Sequence, residues 1–372
     1  MQQASFNISE IFEQYDFEGE YTGSYQCSDG HINNTFILEF RSKSGLTNRY
    51  LLQQINTNAF KNPDELMENI VGVTEYLRNI IKANNGDPDR ETLTVIFTKS
   101  GKPYFRDSEG KHWRCYNYIT DSYTCQRIDD PAVFFNAAKA FGKFSRMLAD
   151  YPIETLHDTI PNFHNTVSRF EDFKKAVEED TVGRAASAKP EIAFARERES
   201  DTGVLLDLLK KGELPLRVTH NDTKLNNVMF DQKTKEGICV IDLDTVMPGL
   251  SLYDFGDSIR FGATTAAEDE KDASKMKLDL ELYEKYTEGY LITAGSSLNR
   301  LEVELLPFAA KVITFECGLR FLTDYLNGDV YFHTAYADHN LIRCRTQFAL
   351  VADMEKNFDK MDEVTRRIYG RL

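Results

Sequence analysis

The chain has 372 residues, 41% hydrophobic and 28% charged, with a formal net charge of −15. That length exceeds one small core and predicts a globular protein of two lobes or domains. The acidic balance argues against a nucleic-acid partner, and no apolar run approaches a membrane span.

The N-terminal Met-Gln-Gln-Ala-Ser-Phe-Asn has neither the basic region nor the apolar stretch of a signal peptide. The six cysteines are scattered and form no C-x-x-C pair, so they read as thiols of a reducing compartment, which implies a cytoplasmic protein. The pattern G-x-x-x-x-G-K-[ST] does not occur, which excludes a P-loop.

Residues 7–16 predict a short helix. Asp29-Gly30 is a turn signal between Tyr25 and an alternating strand over 35–40, and a second strand follows over 49–56. The turn 29–34 reads either as a loop laying backbone N–H groups over phosphates or as an ordinary hairpin turn. Pro63-Asp-Glu opens a helix predicted to run to 82. Further strands are expected at 92–98, near 103–106 and at 113–120. After Pro131 the periodicity becomes helical, with helices expected at 132–150, 163–178 and 190–211 and, after the central stretch, at about 270–293, 298–327 and 335–369. The pattern is α+β: a β-rich N-terminal lobe over 1–115, a connecting hinge at 116–122, and a larger, mainly helical lobe over 123–372.

The most informative stretch is 217–244. His220, Asp222 and Asn227 form H-x-D-x-x-x-x-N on a loop rich in asparagine. Two apolar runs, 228–230 and 238–241, flank a polar turn and predict a hairpin, which places Asn227 beside Asp242. Phosphoryl transfer from ATP needs a group to take or orient the acceptor's hydroxyl proton and hard oxygen ligands for Mg²⁺. Asp222 suits the first task; Asn227 and Asp242 suit the second. His220 is expected to brace the loop. The order and spacing match the kinase catalytic loop and its metal aspartate. Asp254-Phe255-Gly256 spells D-F-G but lies too far downstream, so Asp254 reads as a structural carboxylate. Asp244, two residues after Asp242 in an expected strand, would face the same side and could assist the metal site.

Arg320 lies in the apolar, aromatic run 317–332 and needs an acceptor. Either it pairs with an internal carboxylate, or it points into an acceptor cleft with Tyr331 or Phe261 as an aromatic wall.

Four stretches resemble the aminoglycoside phosphotransferase and choline kinase-like branch of the protein-kinase fold, and within it the bacterial N-acetylhexosamine 1-kinases. They are Gly30-His-Ile-Asn-Asn-Thr-Phe36, Ile160-Pro-Asn-Phe-His164, the stretch from Thr219 to Asn227 with Val240 to Thr245, and Leu319 to Tyr325 through Phe332. The resemblance implies a protein-kinase-like bilobal fold and phosphorylation of the anomeric hydroxyl of an N-acetylhexosamine with ATP and Mg²⁺. By motif match, Asp222 would be the base, Asn227 and Asp242 the metal ligands, Gly30, His31 and Asn33 the loop over nucleotide and sugar, and Arg320 and Tyr331 the sugar contacts. The partner is then a small-molecule sugar, and the chain is expected as a monomer or homodimer without nucleic-acid or membrane partners.

One departure stands out: where kinases carry a phosphate-binding lysine on the third strand, this chain has Gln53 and Gln54. Other readings are a same-fold kinase for choline, homoserine or an aminoglycoside, and a nucleotide-binding pseudokinase without turnover.

Overall fold

A computed structural model describes residues 8–27 and 33–372. The chain divides into two compact units. The first comprises the residues up to Ser122 together with Glu154–Ile160 and Ile238–Met247, and the second holds the remainder. Its membership is therefore not contiguous in sequence.

The first unit is built on an antiparallel sheet. Its strands are β1 (Glu20–Cys27), β2 (Asn34–Arg41), β3 (Thr47–Ile55), β4 (Val95–Ile96), β5 (Phe105–Arg106) and β6 (His112–Asn117). They order as β1-β2-β3-β6-β4, with β5 also on β6. The alternation of β2 buries Phe36, Leu38 and Phe40, which pack with Leu52, Trp113, Cys115, Ile11 and Tyr15. Helix α1 (Ile8–Phe12) supplies Ile11 to this core. Helix α2 (Pro63–Ala83) starts as its sequence predicts, with Asn62 capping the Glu65 N–H, Pro63 at the first position and two acids in the first turn. The expected strand over 92–98 is reduced to β4, and ahead of it Pro88–Glu91 winds into a short helix, α3, capped by Asp87.

The second unit is mainly helical. It contains α4 (Pro131–Met147), α5 (Thr166–Glu179), α6 (Lys189–Arg196), α7 (Val204–Lys210), α8 (Ser251–Gly262), α9 (Leu280–Ala294), α10 (Arg300–Glu304), α11 (Leu306–Leu326), α12 (His339–Lys356) and α13 (Phe358–Tyr369). One apolar cluster joins Phe255, Tyr283, Tyr286 and Tyr290 to Ile313 and Met354, and a second joins Phe170 and Phe173 to Phe315, Leu319 and Phe348. Gly256, the glycine of D-F-G, sits where α8 crosses α11. A Cβ there would meet the Ala309 carbonyl oxygen at 2.6 Å, so glycine is required by close helix packing. The helix expected over 190–211 is broken into α6 and α7. Between them the Thr202 hydroxyl bonds the Glu199 carbonyl at 2.7 Å and Gly203 follows, a local alternative to continued helix. Among the described residues, no helix is long and apolar enough to cross a membrane.

Candidate active site

In the second unit, a short strand at Arg217–Thr219 leads into the H-x-D loop. The strand is anchored by Arg217, whose guanidinium donates to both carboxylate oxygens of the buried Glu302 at 2.6 and 2.7 Å. Beyond it the loop rests on α8. The N–H groups of His220 and Asn221 donate to Asp254 at 2.9 and 2.7 Å, and the Thr223 N–H donates to Asp257 at 3.0 Å. Asp254 is thus the scaffold of the loop, and its carboxyl is pushed up by burial against the pull of His220 and these N–H donors. Burial also works to raise the Asp257 carboxyl, but Arg260 and Lys224 hold it below its ordinary value.

His220 is fully buried, with its ring edge-on to Phe141 and Phe144, and its Nδ1 accepts the Asp222 N–H at 3.3 Å. Asn221 adopts the left-handed region at φ +64°, which turns the chain so that Asp222 is partly exposed. The Asn227 side-chain amide donates to the Asp222 carbonyl at 2.8 Å and to its carboxylate at 3.3 Å. The remaining amide oxygen of Asn227 accepts no hydrogen bond among the described residues, which suits a hard cation.

Lys224, which the sequence reading passed over, places Nζ 2.6 Å from Asp222 Oδ1. Burial opposes its charge, but Asp222 and Asp257 outweigh this and raise its pKa. The signal was a lysine two positions after the aspartate, hidden by an ordinary-looking Thr-Lys-Leu.

Asp242 lies in the first unit, in the left-handed region at φ +60°. Leu243–Thr245 is a 3₁₀ turn, so the strand periodicity expected to put Asp244 beside Asp242 does not apply. Asp244 is buried instead, ion-paired with Arg114 of β6 and accepting the Asn33 side-chain amide at 2.7 Å. Asn33 also accepts the Asn56 N–H at 3.0 Å, so its side chain is turned inward. Gly30 and His31 lie outside the described residues.

One of the two glutamines on β3 also finds an account. Gln53 lies opposite Arg114 in register, and its side-chain oxygen accepts Arg114 Nε at 3.1 Å and Nη2 at 2.9 Å. Gln53 thus serves a buried guanidinium of the neighbouring strand β6, which is ion-paired with Asp244. Burial opposes that charge, and Asp244, Tyr116 and Asp242 hold the guanidinium pKa above its usual value. Glu68 of α2 pairs with His157 at 2.7 Å. Asn69 beside it donates to the Val246 carbonyl at 3.0 Å, which ties α2 to the segment carrying Asp242.

Arg320 and Tyr331 meet in the second unit. They line a cavity of about 170 Å³ with Arg169, Asp172, Asp324 and Phe332; Phe261 does not line it. Arg320 lies over the rings of Phe163, Tyr331 and Phe332, with its guanidinium carbon 5.4–5.8 Å from their centroids. It makes no ion pair among the described residues. Asp324 does not serve it, because that carboxylate accepts the N–H groups of Val330, Tyr331 and Phe332 and the Asn340 amide.

Residues 122–290, which contain the whole H-x-D loop, match the model of the phosphotransferase enzyme family APH. The chain is also similar in fold to solved phosphotransferases. One is an aminoglycoside phosphotransferase from Alicyclobacillus acidocaldarius, at 12% identity and TM-score 0.61 over 99% of this chain and 98% of the other. A second is a microcompartment-associated aminopropanol kinase, at 14% and 0.58 over 94% and 96%. A third is choline kinase from Cryptosporidium parvum, at 17% and 0.54 over 95% and 92%. The α+β architecture, a sheet-based first unit and a helical second unit, is the fold the chain shares with these solved structures.

Proposed function

We propose that the chain is a kinase that uses ATP and Mg²⁺ to phosphorylate the anomeric hydroxyl of an N-acetylhexosamine, either N-acetylglucosamine or N-acetylgalactosamine. The observation that carries the phosphotransfer reading is the loop of Asp222, Lys224 and Asn227, held by its backbone on Asp254 and Asp257. In this reading the acceptor hydroxyl gives its proton to the Asp222 carboxylate. Its oxygen then bonds to the γ-phosphorus, and the bond from that phosphorus to the β-γ bridging oxygen breaks. Asn227 and Asp242, both hard oxygen donors, would hold Mg²⁺, which supplies neutralisation of phosphate charge when bound. Lys224 adds a cation where charge develops on the transferred group.

Replacing Lys224 with Met is expected to lower kcat by roughly 10²-fold. The side chain is partly exposed, so the fold is retained. Steady-state ATP consumption with parallel thermal melts checks both points, and an unchanged kcat would remove Lys224 from the mechanism.

The sugar reading rests on Arg320. An unpaired guanidinium in an aromatic recess suits a neutral acceptor rich in hydroxyl and acetamido oxygens and repels an ammonium. Arg320→Met is expected to raise KM for the acceptor roughly ten- to hundredfold, the worth of a hydrogen bond to a charged group, while KM for ATP is unchanged. Equal effects on both substrates would argue against the assignment.

A second reading, an amine-bearing acceptor, draws on Asp172, which lines the same cavity and makes no ion pair among the described residues. Solved neighbours named as choline and aminopropanol kinases point the same way. ATP consumption across N-acetylglucosamine, N-acetylgalactosamine, glucose, galactose, choline, homoserine and kanamycin separates the two, with products located by ³¹P NMR. An anomeric phosphate on the acetamido sugars supports the first reading. Turnover on amines alone moves the acceptor to the second. Nucleotide binding without turnover on any acceptor marks a pseudokinase.

A further inference from the structure

His164 lies directly behind the H-x-D loop and takes no part in the chemistry described above. Its ring is wedged between two acceptors: Nδ1 is 2.8 Å from the Glu316 carboxylate on α11, and Nε2 is 3.3 Å from the Asn221 carbonyl oxygen. A carboxylate and a carbonyl only accept. A neutral imidazole carries one N–H, so it would leave a lone pair facing a lone pair at one of these contacts. Only the doubly protonated ring donates to both. Both side chains are buried, 6% exposed for His164 and 2% for Glu316, so a mismatched contact there is costly. Glu316 is fixed in turn by the Thr166 hydroxyl at 2.6 Å.

We infer that His164 is a positioning residue which, as an imidazolium held by Glu316, fixes the Asn221 carbonyl and so sets the adjoining Asp222 carboxylate for phosphoryl transfer. The inference rests on Asp222 acting as the base. The charged groups around the ring favour this state on balance. From α11, Glu316 supports the positive ring and Arg320 opposes it; from α8, Asp257 and Asp254 support it. The Tyr253 ring packs beside it at 5.1 Å. Burial works to lower the His164 pKa, but Glu316, with Asp257, outweighs this and raises it from its ordinary value. Burial likewise works to raise Glu316, and His164 holds it below its usual value.

A raised histidine pKa gives a brace that is complete below that pKa and lost as pH rises through it. The expected profile is therefore a kcat that falls on the alkaline side through the His164 titration. Glu316→Gln removes the supporting charge and is expected to move that limb to lower pH. His164→Gln is expected to abolish the limb and lower kcat roughly ten- to hundredfold through misplacement of the loop, with KM for ATP within about twofold.

A direct readout avoids reliance on variants that fold poorly. In ¹⁵N-histidine-labelled wild-type protein at a pH on the kcat plateau below the alkaline limb, His164, assigned by its absence in His164→Gln, is expected to show two protonated ring nitrogens. A ring with one bare nitrogen at that pH overturns the inference. So does an imidazolium whose loss in His164→Gln leaves kcat and the alkaline limb untouched. If Asp222→Asn retained turnover while the ring was still an imidazolium, the base assignment would be the part that failed.

Discussion

Asp222→Asn is expected to lower kcat by about 10²–10⁴-fold, the range that a positioned general base contributes, while leaving the fold intact. The substitution keeps volume nearly constant and removes the charge. The side chain is partly exposed, and its neighbours tolerate an amide: Asn227 can still donate to the side-chain oxygen, and Lys224 can turn towards solvent. The loop itself is held through backbone N–H groups to Asp254 and Asp257, which the substitution does not touch. Catalysis and stability are thus separable at this position, unlike at Asp254, where the same change would put an NH2 group in place of one of the two oxygens that accept buried N–H groups. The check is ATP consumption with saturating acceptor beside far-UV circular dichroism and a thermal melt. Turnover within tenfold of wild type would remove Asp222 from the role of base.

How much of this was legible beforehand depends on sequence distance. The H-x-D-x-x-x-x-N loop is local, so the contact between Asp222 and Asn227 could be anticipated from spacing and turn chemistry. Asp254 was separable from a metal aspartate by its position, and its role as a scaffold follows from helix α8 turning that carboxylate towards the loop. Arg114 with Asp244, and His164 with Glu316, could not be read. Each joins residues more than a hundred positions apart, and nothing local in either partner asks for the other. Asp244 was misread for a different reason. Alternation was assumed beyond the apolar run Ile238–Ile241, but the left-handed turn at Asp242 ends it and sends the next carboxylate inward. Gln53 in place of a β3 lysine had no local explanation; register pairs it with Arg114 of β6, 61 positions away.

That ion pair carries the largest expected effect on stability. The side chains of Arg114 and Asp244 are 1% and 3% exposed. The pair also joins three parts of the first unit, since Asp244 accepts from Asn33 ahead of β2 and Arg114 donates to Gln53 on β3. Asp244→Asn keeps the shape but leaves a buried guanidinium facing an amide, and breaking a buried pair from one side costs about 3–5 kcal/mol. Arg114→Met strands the carboxylate instead and is expected to cost a similar amount. The double variant removes both charges, so its loss should be smaller than the sum of the single losses, a coupling that a cycle of the two substitutions measures directly. The only tryptophan of the chain, Trp113, is buried next to Arg114 in the core of the first unit, so its fluorescence during urea unfolding reports on this unit specifically. An Asp244→Asn midpoint equal to wild type, or strictly additive losses in the double variant, would show that the pair does not hold the unit together. Because Asp242 lies two residues from Asp244 on the same turn, a destabilised Asp244→Asn is also expected to bind nucleotide with Mg²⁺ more weakly, whereas Asp222→Asn should bind it normally.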